Sequence, residues 1–345
     1  MQHAPSRLAL RIATWTLGPI LVAAALSPAV TAAATKRYEF SAQHMGTQFV
    51  LTFYAPSDEV ANGAADRAFA RIAELNQVFS DYDESSESRR MAAAGEITSS
   101  GVTVSEPLWL VLEEAVRMGK VSEGAFDVTV GSLTQIWRRA RRRQELPDAE
   151  KVAEARALVG YEKIGLVDAS VRRVRLAQPG MRLDFGGIAK GYAADEALRM
   201  LREAGCGAAL IDAGGDLVLG DPPPGRRGWQ VGVAALGEKN GADRVLEMAR
   251  CGIATSGDAW QYVELAGERF SHILDPRTGW PLKRRMGVTV IAPSGMAADA
   301  LASAVSVLGP AEGLQLIERI DDTEAIFVEA TGATQTKGFP ALPQK

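Results

Sequence analysis

Two cysteines and three histidines in 345 residues leave little room for soft-metal chemistry. Cys206 and Cys251 are isolated, and two isolated thiols do not make a zinc site. There is no Gly-x-Ser-x-Gly elbow, and no Ser/His/Asp order fits a hydrolase. A Walker A loop and a Gly-x-Gly-x-x-Gly dinucleotide turn are also missing. The chain has no internal repeat and no long linker. Past Leu26 it has no long apolar run, which argues for a soluble mature protein. Excess positive charge is lacking too: 38 basic residues face 42 acids, for a net charge of −4. That balance argues against general nucleic-acid binding.

The first 34 residues read as an export signal. Arg7 and Arg11 form a basic start, Ile12 to Leu26 an apolar centre, and Ala29–Ala34 a small-residue cleavage region. No cysteine follows the apolar centre and no twin-arginine pair precedes it, so neither a lipoprotein anchor nor a twin-arginine route is indicated. Removing the segment lowers the basic count from 38 to 36 against 42 acids, so the mature net charge is −6. The expected location is the periplasm, with an uncleaved inner-membrane anchor as the alternative. Residues 35–345 are long enough to bury a large core, in one two-lobed domain or in two domains, and a single two-lobed domain is expected. In an exported protein the two cysteines either pair or stay as buried thiols, and both readings stand.

Residues 47–54 alternate as a strand. Asp58 to Phe79 place apolar residues at helical spacing, and Ser105 with Pro107 signals a helix start. Residues 134–160 read as a charged helix ending at Gly160. Strands are expected at 171–176, 181–185, 208–212, 217–219, 229–234, 244–249, 261–265, 286–292 and 324–329. Helices are expected from Gly187 to Gly205 and, as a pair broken at Gly309-Pro310, between Met296 and Ile320. Hairpin-like strand runs in the second half indicate α+β rather than a doubly wound parallel sheet. The arginines at 138, 139, 141, 142 and 143 read as a solvated helix face, or as a patch for lipid or partner.

The segment Asp184-Phe-Gly-Gly-Ile-Ala-Lys190 is the most informative. Glycines between an apolar run and a helix start let a ligand approach bare backbone. The helix N-terminus and Lys190 favour negative charge there. The local alternative is a Gly-Gly turn with a solvated lysine. His272 stands where a strand runs into an Asp-Pro…Gly turn, which suits a base at a loop mouth, although most isolated histidines are structural or merely exposed. Asp299 and Ser303 are four apart, on one face of a helix, and their oxygens suit a hard cation. An N-terminal-turn Asp beside an incidental Ser explains the same spacing. Tyr82, in a polar segment after a helix, is placed to stack on an aromatic ligand.

Taken in order, Met45-Gly-Thr47, Phe79-Ser-Asp-Tyr82, Gly124-Ala-Phe-Asp127, Asp184 to Gly191 with Asp195, Gly214-Gly-Asp216, Thr255-Ser-Gly-Asp258, His272 to Gly279, and Val290 to Pro293 through Asp299 resemble the ApbE family of FAD:protein FMN transferases. The resemblance implies an ApbE-like (T-fold-like) α+β fold of mixed sheets and packed helices in two lobes. It implies Mg²⁺-dependent cleavage of FAD, with FMN moved to a threonine or serine of an acceptor redox protein and AMP released. Met45, Tyr82, Ala125, Phe126, Asp127, Asp184, Lys190 and Leu274 would then contact FAD. Gly187, Asp299 and Ser303 would hold the metal, and His272 would take the acceptor's proton. Hydrolysis of FAD to FMN and AMP, or non-catalytic flavin binding, are the competing activities. Ser303 stands where the family often has Thr. Thr331-Gly-Ala-Thr334 resembles an acceptor motif but reads first as a hairpin turn.

Overall fold

The structure, a computed structural model, describes residues 35–95, 100–233, 244–257 and 262–340. The expected export segment lies outside the described residues, as does Asp258. Residues 35–345 form one compact unit.

The chain begins with a hairpin, β1 (Lys36–His44) and β2 (Thr47–Ala55), turning through Met45 and Gly46 at φ +49° and +74°. α1 (Asp58–Phe79) follows. Its N-cap Ser57 accepts the Val60 N–H, and Ala61, Ala64, Ala68, Ile72, Leu75 and Phe79 form its buried stripe. Then come α2 (Glu87–Gly95), β3 (Val102–Thr103) and α3 (Glu106–Val121), the last capped by Ser105. The expected helix over 134–160 is two helices, α4 (Gly131–Arg143) and α5 (Ala149–Arg156), parted by a left-handed Gln144 and an Asp148 N-cap. β4 (Ile164–Asp168) and β5 (Arg173–Leu176) lead to α6 (Ala189–Glu203). β6 (Ala209–Ala213), β7 (Leu217–Leu219), β8 (Trp229–Val233), β9 (Arg244–Met248), β10 (Cys251–Gly257), β11 (Tyr262–Leu265), β12 (Glu268–Ser271) and β13 (Gly287–Ala292) follow. α7 (Gly295–Leu308) and α8 (Pro310–Ile317) break at Gly309 as expected, and the hairpin β14 (Glu324–Glu329) and β15 (Gly332–Gln335) ends the fold.

One eight-stranded sheet runs β1-β2-β6-β7-β10-β13-β14-β15, and each neighbouring pair is antiparallel. One face packs on α1, α6 and α7 through Phe49, Leu51, Phe53, Val288 and Val290. On the other face Trp229, Val231 and Leu246 of the β8–β9 hairpin cover Leu219, Ile253, Ile291 and Ile326. A smaller lobe joins α4 and α5 to the β11–β12 hairpin through Trp137, Phe270 and Trp280. The expected α+β fold is what is seen. The run 181–185 is not a strand. Met181, Leu183 and Phe185 are buried in alternation, but the run makes one isolated bridge, Arg182 to Val130. Both cysteines are free thiols, with Cys206 buried. Among the described residues no helix is long and apolar enough to cross a membrane.

Candidate active site

Two glycines bring the site helices together. A Cβ on Gly191 of α6 would lie 2.1 Å from the Gly295 carbonyl oxygen, and a Cβ on Gly295 would lie 2.7 Å from that of Gly191. Only hydrogen at both positions lets α6 and α7 cross so closely. Asp195 on α6 locks the crossing by accepting the Gly295 and Met296 N–H groups at 2.8 and 2.9 Å, which caps the start of α7. One turn along, the Asp299 carboxylate accepts the Gly191 N–H at 3.1 Å. The next turn of α7 sets Ser303 against the diglycine bend: a Cβ on Gly187 would meet Ser303 Oγ at 2.6 Å. The bend itself is tied by Asp184 Oδ1, which accepts the Gly186 N–H at 2.9 Å, and Phe79 packs edge-on against Phe185.

A half-open cleft of about 350 Å³ lies beside this bend, at the lower end of the usual size of ligand sites. Its walls include Tyr82, Ala125, Phe126, Asp127, Asp184, Gly187, His272, Leu274 and Ser303. Sequence reasoning had singled out all nine. His272 is exposed, on a tight loop in which the Ser271 N–H donates to the Leu282 carbonyl (2.8 Å) and the Leu282 N–H to that of Ile273 (2.9 Å). Trp137 Nε1 donates to the Gly279 carbonyl at 2.9 Å and ties that loop to α4. Asp127 borders the cleft, but its Oδ1 accepts from both the backbone and the hydroxyl of Thr129, and burial pushes its carboxyl above the ordinary range.

Met45, Lys190 and Asp299 do not line the cleft. Met45 packs on the main core at the tip of the β1–β2 hairpin. The Gly214-Gly215 turn lies close by, where a Cβ on Gly214 would strike Thr47. Lys190 is paired and does not line the cleft: its Nζ bonds Asp216 and lies 3.4 Å from Asp299 Oδ2. Burial works against the lysine charge, but the two carboxylates outweigh it and hold its pKa above the ordinary value. Burial pushes Asp299 up, while Lys190 pulls the other way. Spacing in the sequence carries no sign of the Asp216 contact.

The α4 arginines divide by helical period. Thr134, Trp137, Arg138 and Arg141 line the cleft, and of the five arginines all but Arg138 are exposed. Arg138 is half-buried. It bonds Asp81 through Nη1 and lies 3.3 Å from Asp184 through Nη2, with its guanidinium 4.3 Å from the centre of the Tyr82 ring. The expected solvated face therefore holds for only part of the run.

Fold and site together define an α+β protein with a polar ligand cleft between sheet-backed helices and a small aromatic lobe. The ApbE family profile matches residues 45–327. A Haemophilus influenzae protein described as an FAD:protein FMN transferase is 30% identical over 335 residues, covering 94% of this chain and 96% of that one. A Treponema pallidum protein of the same description is 30% identical, covering 86% and 85%. The solved Vibrio cholerae flavin transferase ApbE superposes with a TM-score of 0.78 at 26% identity, over 89% of this chain and 99% of that one. The apo form of the Pseudomonas stutzeri flavinyl transferase ApbE gives 0.75 at 30%, over 88% and 96%. The chain belongs to the ApbE family.

Proposed function

We propose that this protein is a Mg²⁺-dependent FAD:protein FMN transferase. The observation that carries the reading is the convergence of Gly187, Ser303 and His272, from three distant stretches of chain, on one cleft. The similarity to proteins described as FAD:protein FMN transferases supports it. In the reaction, an acceptor threonine oxygen forms a bond to the FMN phosphorus. The phosphorus–oxygen bond of the diphosphate bridge breaks, and AMP leaves with the electron pair. His272, exposed at the cleft, takes the hydroxyl proton as general base, help typically worth about 10²–10⁴-fold. Ala125, Phe126 and Leu274 offer apolar contact to the flavin nucleotide, and Tyr82 a ring face.

Gly187 and Ser303 meet at the bend, with Asp299 one turn earlier on α7, and a hard dication would suit the three oxygens. The Gly187 carbonyl, the Ser303 hydroxyl and the Asp299 carboxylate are all oxygens, and Mg²⁺ commonly takes only one or two carboxylates. Among the described residues no cluster of three or more His, Cys, Asp or Glu competes for a metal. With Lys190 charged between Asp216 and Asp299, the trio carries a net single negative charge, which suits a cation and not a free phosphate. The chemistry the ion supplies when bound is neutralisation of charge growing on the leaving phosphate.

Incubating the purified protein with FAD, Mg²⁺ and a threonine-bearing acceptor should attach one FMN to the acceptor by intact mass, with an equal amount of AMP released. AMP without adduct would identify water as the acceptor and the protein as a pyrophosphatase. Bound flavin without AMP would leave a carrier. His272→Ala should lower transfer at least 100-fold while FAD affinity stays within about twofold, in line with a general-base role. Unchanged transfer would remove His272 from that role. Export of the chain through residues 1–34 belongs to the same proposal, supported by the basic, apolar and small-residue order of that segment. Cell fractionation tests it: protein retained in the cytoplasm would contradict it.

A further inference from the structure

Arg138 borders the cleft, yet nothing in the transfer chemistry above uses it. Three contacts fix it at once. Nη1 bonds Asp81, Nη2 reaches Asp184, and the guanidinium face lies 4.3 Å from the Tyr82 ring centre. The two carboxylates more than cancel its charge, so the group is not an anion site. Tyr82 lies against it, its ring centre 4.3 Å from the guanidinium carbon. Tyr82 itself is 77% exposed, so the face away from Arg138 is open to a ligand. An exposed tyrosine on a turn after a helix has little else to hold its ring still. A planar cation behind the ring holds it in place and makes it a fixed surface.

We propose that Arg138 is a positioning residue for ligand binding: pinned by Asp81 and Asp184, it fixes the Tyr82 ring as a platform on which a planar ring of FAD stacks. The inference rests on FAD as the ligand. Asp184 then does two jobs, tying the diglycine bend through Oδ1 and anchoring Arg138 through Oδ2. The platform and the bend are thereby held in one register.

The test is FAD affinity of the purified protein, read by flavin fluorescence without Mg²⁺, so that no turnover intervenes. Arg138→Gln should weaken binding about fivefold, the size of a lost stacked cation. Arg138→Lys keeps the charge but cannot serve two carboxylates and a ring face together, and should weaken binding about threefold. It should fold normally, which keeps the test open if the Gln variant does not. In steady state Arg138→Lys should raise KM for FAD with kcat unchanged, a split that a general loss of packing would not give. Tyr82→Leu should weaken binding about tenfold, and adding Arg138→Lys to it should cost nothing further, because the arginine acts through the ring. Wild-type affinity in Arg138→Lys, or losses that multiply in the double variant, would overturn the inference and leave the transferase reading intact. A wild-type protein that does not bind FAD would overturn both.

Discussion

The cleft is flanked by two trios of the same composition, a cation between two carboxylates, and they are built for different ends. At the α6–α7 crossing, Lys190 serves Asp216 and Asp299. At the mouth, Arg138 serves Asp81 and Asp184. Lysine is a point charge, so both carboxylates aim at one nitrogen. Arginine takes the two mouth carboxylates on separate nitrogens of its fork, which leaves a flat face for Tyr82. The charge count is equal in the two places. The shape of the cation decides how its two carboxylates are gathered, on one nitrogen or on two.

Removing each cation separates the two cases. Lys190→Met leaves two buried carboxylates facing each other, and urea unfolding should show a loss of about 3 kcal/mol. Mg²⁺ should restore part of it, because a dication can take the place of the missing charge. No restoration would argue against a cation site at the crossing. Gly191→Ala should cost about 2 kcal/mol by overpacking, since the new methyl would sit 2.1 Å from the Gly295 carbonyl oxygen. It should also slow transfer by shifting α7; full activity would show that the crossing need not be so close. Arg138→Met should cost less, about 1 kcal/mol, because its partners keep contact with water, and Mg²⁺ should not restore it. Equal losses at the two trios would erase the contrast. A further effect, read through pH, is at Asp195, where burial lifts the carboxyl to about 6 against the pull of the Met296 and Gly295 N–H groups. The folded protein holds that proton up to about pH 6 and the unfolded chain only to about pH 4. This group's contribution to stability therefore falls as pH rises across that window. Asp195→Asn should lose that slope and cost about 1 kcal/mol as a weakened cap. An unaltered slope would contradict the assignment.

Local signals exposed much of this fold. Ser57 and Ser105 cap helices where the pattern starts them, Phe79 ends α1, and Gly309-Pro310 divides α7 from α8. Thr331 lies in the turn of the β14–β15 hairpin, as its sequence reads. The run 181–185 misleads for a physical reason. Alternating burial reports which side of an extended segment faces the core, and says nothing about a hydrogen-bonding partner. β1 is an edge strand with half-buried Tyr38, Phe40 and Ala42, and its apolar alternation is too weak to stand out. At the cleft, the diglycine bend, His272 and Ser303 were legible because each sits in a short motif. The Lys190 partnership was not, since Asp216 and Asp299 lie 26 and 109 residues away. The role of Arg138 was hidden in a run of like charges, although the spacing of Thr134, Trp137, Arg138 and Arg141 marks one helix face.

A crystal structure of the protein with FAD and Mg²⁺ would test the central claim most directly. The account places the ion within about 2.1 Å of the Gly187 carbonyl, Ser303 Oγ and an Asp299 oxygen, with the FAD diphosphate beside it, one ring on Tyr82 and His272 facing the phosphorus. FAD ordered elsewhere on the protein, or an ion held by other groups, would contradict it.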